Sequence, residues 1–145
     1  MSINIIDLGR YSYKLALHKQ EHIHAKVTNN GNDTLLFVEH EPVYTLGKNA
    51  EVNNILSDCP KDVKIFNIDR GGDVTYHGPG QIVGYPIINI KKRNISISRY
   101  IHTLEKILIN TLKIYDIDAQ VREKFIGVWV EIHGVAIKME PGKPG

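Results

Sequence analysis

The stretch that decides the fold of this chain is Arg70-Gly71-Gly72-Asp73-Val74-Thr75-Tyr76-His77-Gly78-Pro79-Gly80-Gln81. Four glycines, a proline, a cation, a carboxylate and an imidazole occur within these twelve residues. Glycine weakens a strand from within, and it usually marks a place where a ligand or another backbone comes close. Ordinary loops are also rich in glycine, so the information lies in the order of the residues.

An extended conformation of residues 72–77 would give this stretch two chemically different faces. Side chains alternate along a strand, so Asp73, Thr75 and His77 share one face and the two side chains between them share the other. Residues 78–80 then turn the chain. A polar, titratable face beside an apolar face is typical of the wall of a binding site.

Glycines on both sides of this turn predict an open surface. Gly71 and Gly72 precede the turn, and Gly84 lies in the strand that returns from it. Two strands that meet at a glycine turn expose backbone donors and little side-chain bulk. We therefore expect an elongated apolar ligand to lie against these three glycines. The return strand begins with Gln81, Val83 and Tyr85.

The flanking sequence predicts more strands than helices. The apolar spacing from Tyr13 to Val27 predicts one helix, which ends near Asn29-Asn30-Gly31. A longer helix is predicted over residues 101–115, with Ser96 or Ser98 as its cap. This order predicts an α+β fold, a mixed sheet with helices on one face, in one domain over residues 1–139 with a tail at 140–145. Strands are predicted at 3–8, 34–39, 43–47, 64–68, 82–90, 126–130 and 135–139.

The composition indicates one globular domain in a reducing compartment. The chain has 145 residues, 42% of them apolar, and a net charge of +2 from 18 basic and 16 acidic residues. This balance argues against nucleic-acid binding. Lys91-Lys92-Arg93 is either a solvated turn or a dock for an acidic partner.

The single cysteine, Cys59, excludes a disulfide within the chain. With no secretory signal and no apolar run of about 20 residues, we expect a cytoplasmic protein without a membrane span.

Several common site motifs are absent from the sequence. There is no phosphate-binding GxxxxGK[ST] loop and no dinucleotide-binding glycine motif. His77 has no second histidine or cysteine at metal spacing, so no metal site is predicted. His18 and His22 are one helical turn apart, and without a third ligand we interpret them as solvated. His40 either orients a loop or joins the site.

At this point the sequence resembles the lipoyl(octanoyl) transferase family. Residues 70–86 match its signature, RGGDVTYHGPGQIVGYP in this chain. Residues 39–47 resemble its EHxPVYTLG segment, and Gly127-Val128-Trp129-Val130 resembles its GVWV strand. The resemblance extends from near the N-terminus to about Val130.

The resemblance implies a fold shared with biotin and lipoate protein ligases, and it implies a reaction in lipoate biosynthesis. An octanoyl group moves from octanoyl-acyl carrier protein to a lysine of a lipoyl domain, in 2-oxoacid dehydrogenases or the glycine cleavage H protein. No cofactor is implied, because a thioester arrives already activated. The location implied is cytoplasmic, or organellar in a eukaryote. The acyl pocket implied is lined by Arg70, Gly71, Gly72, Asp73, Val74, Thr75, Tyr76 and His77.

The chain departs from the family at the catalytic residues. The family carries the acyl group on a cysteine in a proline-cysteine-glycine context downstream of GVWV, and this sequence reaches Gly145 without one. We interpret Cys59 as an incidental thiol, because reactive cysteines need electropositive surroundings. Lys138 is the candidate for the lysine that lowers the thiol pKa, although we favour its interpretation as a strand residue that faces solvent.

Two explanations fit these departures. The chain is a C-terminally truncated octanoyltransferase, or it is a non-catalytic domain that binds acyl groups or carrier proteins. On either, we expect the 145 residues alone to show no acyl transfer. A lipoate or biotin ligase is a third possibility, but such enzymes need ATP and the chain lacks a recognisable adenylate-binding lysine motif.

Overall fold

The computed structural model describes residues 2–51, 54–55, 60, 62–132 and 135–139, with the backbone alone for 132 and 135–139. In this part of the chain there are two helices and nine strands. The helices are α1 (Tyr13–Thr28) and α2 (Ile97–Ile114). The strands are β1 (Ile3–Tyr11), β2 (Asp33–His40), β3 (Val43–Leu46), β4 (Lys64–Asn67), β5 (Val74–His77), β6 (Ile82–Ile87), β7 (Ala119–Arg122), β8 (Phe125–Ile132) and β9 (Val135–Met139). The described residues form two compact units, 2–89 and 90–139.

The first unit begins with a strand–helix–strand arrangement. β1 and β2 are parallel, and β6 pairs with β2 in the antiparallel direction to give the order β1-β2-β6. Helix α1 packs on β2 and β6 because its apolar residues recur every three or four positions. The core beneath it is formed by Ile23, Val27 and Leu36, with Ile6, Leu8, Tyr85 and Ile87 packed against them.

A left-handed residue ends α1. Asn30 has φ of +67°, and the N–H of Gly31 donates to the carbonyl oxygen of Lys26 at 2.8 Å. Asparagine and glycine tolerate this conformation and this closing bond better than other residues. The predicted end of the helix at Asn29-Asn30-Gly31 is confirmed.

A second small sheet carries the glycine-rich stretch. Its order is β4-β3-β5, with β4 parallel and β5 antiparallel to β3. β5 begins only at Val74, because Gly72 has φ of +96° and the chain bends there. The prediction that residues 72 and 73 are extended is therefore wrong, whereas the alternation from Val74 to His77 is confirmed.

The second unit packs α2 on an antiparallel sheet of order β7-β8-β9. Of the two serines predicted as caps, Ser96 caps α2, and its hydroxyl accepts from the N–H of Arg99 at 3.2 Å. A carboxylate lies within this packing, since Glu105 is buried and accepts from the N–H of Gly127 at 3.2 Å. The core is formed by Ala119, Val128 and Val130, with Leu108, Ile109 and Leu112 packed against them.

The predicted α+β class with mixed strand pairing is confirmed, although the strands form three separate three-stranded sheets rather than one. Each helix packs on its own sheet. β6 ends at Ile87, short of the predicted residue 90, and β7 was not predicted. The sequence also predicts a tight turn at His133-Gly134, between the last two predicted strands. This turn and the predicted tail at 140–145 lie outside the described residues. Neither of the two helices in the described ranges, α1 and α2, is long and apolar enough to cross a membrane.

Candidate functional site

Arg70 is the organising side chain of the glycine-rich stretch. Its Nη2 donates to the carbonyl oxygen and the hydroxyl of Thr45, both at 3.0 Å, and to the hydroxyl of Thr75 at 2.7 Å. The same nitrogen reaches the carbonyl oxygen of Asp73 at 2.9 Å, and Nη1 reaches that of Gly71 at 3.1 Å. Nη2 carries two hydrogens, so its four acceptors share them in bifurcated bonds, and Nη1 supplies the fifth contact. Arg70 therefore ties the loop to β3 and β5 at once.

The backbone of this loop also lies directly against the segment after β3. The N–H groups of Lys48 and Gly47 donate to the carbonyl oxygens of Arg70 at 2.9 Å and Asp73 at 3.3 Å. A Cβ on Gly47 would collide with the backbone of Gly72. Glycine at position 47 is thus required by the close approach of two backbones.

Asp73 binds its own loop. Its Oδ1 accepts from the N–H of Val74 at 2.8 Å and from the N–H of Glu51 at 3.2 Å. Its Oδ2 accepts from the side-chain amide of Asn54. The carboxylate therefore holds Glu51 and Asn54 against the start of β5, instead of extending the polar face of the strand.

The two faces of β5 contact different neighbours. Tyr76 pairs in register with Tyr44 of β3, and their ring centroids are 5.3 Å apart. On the opposite face, Thr75 binds Arg70, and His77 lies with its ring centroid 5.6 Å from that of His40. The predicted sharing of one face by Thr75 and His77 is consistent with these contacts.

His40 is the centre of a buried aromatic cluster. Its side chain is fully enclosed at the end of β2, and its Nε2 lies 2.8 Å from the hydroxyl oxygen of Tyr85. The ring of Tyr13 lies 5.2 Å from that of His40 and 5.0 Å from that of Phe66. The cluster of Tyr13, His40, Phe66, His77 and Tyr85 joins α1, β2, β4, β5 and β6.

Burial controls the protonation of this aromatic cluster. Desolvation lowers the pKa of His40, and the neighbouring His77 lowers it further. Desolvation also lowers the pKa of His77, the bond to Gln81 opposes this, and the charge of Arg70 adds to it. Burial raises the pKa values of Tyr13 and Tyr85. At neutral pH the histidines are therefore neutral and the tyrosines keep their protons.

Comparison with known proteins identifies the family of this chain. Residues 12–142 match the family model of the lipoyl protein ligase A/B catalytic domain. The chain belongs to this family. The matched range includes the whole aromatic cluster and the loop held by Arg70.

Relatives within the lipoyl protein ligase A/B family include octanoyltransferases. The chain is 43% identical over 142 residues to the octanoyltransferase of Alkaliphilus metalliredigens, covering 94% of this chain and 65% of that protein. It is 46% identical over 137 residues to the octanoyltransferase of Caldicellulosiruptor saccharolyticus, covering 90% of this chain and 58% of that protein. This chain thus spans about six-tenths of the length of these relatives.

A solved structure shares the fold. The bipartite lipoate protein ligase of Thermoplasma acidophilum, described with its E2 lipoyl domain, superposes with a TM-score of 0.66 at 16% identity. The match covers 98% of this chain and 58% of that one. The predicted lipoate ligase-like fold is confirmed by this likeness.

The structure brings together only some of the predicted site residues. Arg70, Thr75 and His77 lie together in the first unit, with Gly71 bonded to Arg70. Gly84 belongs to the other sheet of that unit, where it pairs with Phe37. Two surface cavities of about 400 and 290 Å³ in the same unit have linings that do not include residues 70–77.

The predicted catalytic lysine belongs to the second unit. Lys138 lies on β9 and pairs in register with Trp129 of β8. Its catalytic role stays a prediction. Cys59 lies outside the described residues. Within the described ranges, no group of three or more histidine, cysteine, aspartate or glutamate side chains is arranged to hold a metal ion.

Sequence reasoning missed three members of the aromatic cluster and left a fourth undecided. Tyr13 was interpreted only as an apolar helix residue, and Phe66 and Tyr85 only as strand residues. For His40 the structure favours the second alternative, since its ring contacts His77. The sequence offered one signal for the cluster, His40 at the end of an apolar strand. A buried imidazole needs a polar partner, so a hydroxyl or another polar side chain was to be expected beside it.

Proposed function

We propose that this chain forms the acyl-binding part of an octanoyltransferase that acts in protein lipoylation. The observation that carries the proposal is the identity of 43% and 46% to two octanoyltransferases over 94% and 90% of the chain. Both alignments are long enough to include the loop fixed by Arg70. The reaction is the movement of an octanoyl group from a carrier-protein thioester to a lysine of a lipoyl domain.

The loop held by Arg70 suits a flexible acyl chain. Its guanidinium donates hydrogen bonds to the backbone carbonyl oxygens of Thr45, Gly71 and Asp73. These polar groups therefore have partners before a ligand binds. A preorganised site of this kind avoids an ordering cost on binding. In the proposal, residues 70–77 line the acyl site as the family resemblance implies, with Asp73 acting from behind by fixing the loop.

The partners follow from the same proposal. The donor is octanoyl-acyl carrier protein, and the acceptors are lipoyl domains of 2-oxoacid dehydrogenases and the glycine cleavage H protein. The acyl group is carried on a cysteine thioester, with Lys138 as the lysine that lowers the thiol pKa. Thioester exchange followed by aminolysis needs no added activation, so no nucleotide enters the reaction.

Lipoate ligation is the second candidate. The family description, which names lipoyl protein ligases, favours it. The likeness to the Thermoplasma acidophilum ligase, at 16% identity, shows the fold alone. A ligase activates a free acid with ATP before transfer, whereas a transferase uses a thioester. Dependence on ATP therefore separates the two.

The test is an octanoylation assay with the protein that carries these residues. It is incubated with octanoyl-acyl carrier protein and an unmodified lipoyl domain without ATP, and the intact mass of the lipoyl domain is followed. We expect octanoylation, and we expect it to survive Cys59→Ser. Modification only with free octanoate and ATP would replace the proposal by ligation. Tight binding of the octanoyl carrier protein without any modification would replace it by a binding function.

A further inference from the structure

The segment from the turn before α2 to the end of that helix is strongly basic. Residues 90–114 contain six of the 18 lysine and arginine residues of the chain, and a single acidic residue, Glu105. Glu105 is buried, and its carboxylate accepts a hydrogen bond from the N–H of Gly127. No exposed carboxylate within this segment therefore balances its cations.

Three of these cations form a row along α2. Arg99, Lys106 and Lys113 are exposed and follow one another at intervals of seven residues, close to two helical turns. Their side chains therefore project from one side of the helix, in a row about 21 Å long. The helix packs on β7 and β8 through other positions, which include Leu108 and Leu112. The row consequently faces away from the core of the second unit.

The turn before α2 continues this row past the N-terminal end of the helix. Lys91 and Lys92 are exposed in the turn, where the N–H of Asn94 donates to the carbonyl oxygen of Lys91 at 3.0 Å. The chain then enters α2 through its cap, Ser96, so both lysines lie near the end of the helix that carries Arg99. The basic face of α2 is the surface formed by Lys91, Lys92, Arg99, Lys106 and Lys113.

At the N-terminal end of α2 these charges do not serve the stability of the helix. That end of a helix favours anions, yet α2 has no acidic side chain in its first turn and carries Arg99 there. Arg99 stands three residues after the cap Ser96, the position at which a glutamate would complete a capping box. Within the described ranges, Arg99, Lys106 and Lys113 form no ion pair with a carboxylate. Arg99 therefore weakens the helix that carries it, which favours a role in binding.

Apolar side chains flank the row of cations. Ile107 and Ile114 are 53% and 78% exposed, and they are also seven residues apart. A solvated face gains nothing from exposed isoleucine, whereas the contact surface of a protein combines apolar groups with a polar, charged rim. The mixture favours a folded protein over a small anion as the partner.

We propose that the basic face of α2 docks an acidic surface of the octanoyl-acyl carrier protein. This inference rests on the proposed octanoyl transfer, which has two protein partners. The acceptor presents a lysine amine, a cation that a basic face repels, whereas the donor presents an uncharged thioester. The basic face therefore complements the donor. It belongs to the same unit as β9, the strand that contains Lys138.

Docking is tested on the 145-residue chain by fluorescence anisotropy of a labelled octanoyl-acyl carrier protein. The double variant Arg99→Glu with Lys106→Glu should raise Kd by about tenfold at low salt, because two attractions become repulsions. The matched control is Lys19→Glu with Lys26→Glu, which reverses two exposed charges seven residues apart on α1 and should leave Kd within about twofold. Added salt should weaken binding of the unaltered chain more than that of the α2 variant. Equal Kd values for the two double variants would overturn the docking site.

A melting experiment separates docking from folding. Arg99→Glu places an anion in the first turn and completes the capping box with Ser96, so it should raise the Tm while it weakens binding of the carrier protein. A lower Tm would contradict the inference that Arg99 weakens α2.

The partner is assigned by kinetics on the full protein. The α2 double variant should raise the KM for octanoyl-acyl carrier protein by about tenfold and leave both kcat and the KM for the lipoyl domain unchanged. A rise in the KM for the lipoyl domain alone would overturn the assignment to the donor. Binding of the basic face to anionic lipid vesicles but not to the carrier protein would also overturn it. Carrier-protein binding that the α2 variant weakens, without any octanoyl transfer, would instead contradict the proposed function alone.

Discussion

The Nε2 of His40 lies 2.8 Å from the hydroxyl oxygen of Tyr85, and both groups lie beneath helix α1. Tyr85 pairs in register with Leu36, four residues before His40, so its ring extends along the strand to reach the imidazole. Because side chains alternate along a strand, Leu36 and His40 face the same side of β2. The bond therefore fixes the end of β2 to β6, and it places the histidine ring against His77 of the neighbouring sheet.

Tyr85→Phe should lower the free energy of unfolding by about 1–3 kcal/mol. The substitution keeps the ring but removes the hydroxyl, so the enclosed imidazole of His40 loses its partner at Nε2. Urea denaturation at pH 7.5 measures the change. Tyr115→Phe is the matched control, because the side chain of Tyr115 is 71% exposed, and it should change stability by no more than about 0.5 kcal/mol. Equal stabilities of the two variants would show that the buried bond contributes nothing.

Arg70→Lys should destabilise the first unit by about 1–3 kcal/mol although the charge is kept. Lysine offers a single nitrogen on a shorter side chain, so it cannot keep the Nη2 contacts and the Nη1 bond to Gly71 at the same time. Amide hydrogen exchange of β5 should also accelerate, which localises the effect. Arg99→Lys on the exposed surface of α2 provides the comparison. Unchanged protection of β5 in the Arg70 variant would contradict the organising role.

The elements with strong local signals were predictable from the sequence. The apolar spacing of α1, the Asn-Asn-Gly end of that helix and the serine cap of α2 are all local features, and the structure has them. β7 was missed because Ala119–Arg122 is short and only Ala119 is buried, so no alternation was visible. The split into three sheets also lay beyond prediction, because strand partners are set by contacts between distant residues.

The site was predictable only as far as its residues are neighbours in sequence. Arg70 and His77 were found because they belong to one unusual stretch. His40 and Tyr85 are 45 residues apart in the sequence, so no local pattern predicts their contact. Asp73 was assigned to the polar face of β5 by alternation alone, and the left-handed backbone of Gly72 removed it from that strand.

Gly47→Ala should lower the free energy of unfolding by about 1–3 kcal/mol and weaken acyl binding. A Cβ at this position meets the backbone of Gly72 and lies 3.1 Å from the carbonyl oxygen of Arg70, so the two segments must separate. Gly84→Ala is the control, since its Cβ would meet only side chains, the ring of Phe37 at 3.4 Å and Cδ1 of Leu35 at 3.8 Å. Calorimetric unfolding compares the two. A smaller loss of stability for Gly47→Ala than for Gly84→Ala would refute the close approach.

Glu105→Ala should destabilise the second unit by about 1–3 kcal/mol. The buried carboxylate accepts from the N–H of Gly127 in β8, and its removal leaves that donor without a partner. His102 is the exposed partner of Glu105, and its own side chain is 70% exposed. His102→Ala should therefore have a smaller effect. Chemical denaturation followed by the fluorescence of Trp129 in β8 measures both. A larger effect of His102→Ala would contradict the stabilising role of the bond between Glu105 and β8.

Stability should fall as the pH is lowered below about 6.5, the ordinary pKa of histidine. The pKa values of His40 and His77 are lowered in the folded chain, so between the folded and unfolded values the unfolded state binds more protons. The free energy of unfolding therefore rises with pH in this window, by at most about 1.4 kcal/mol per pH unit for each histidine. Urea midpoints at pH 7.5 and 5.5 give the slope. His40→Gln should reduce it, whereas His22→Gln on the exposed face of α1 should leave it unchanged. A slope that is the same in all three proteins would show that the buried imidazole of His40 is not the group that resists protonation.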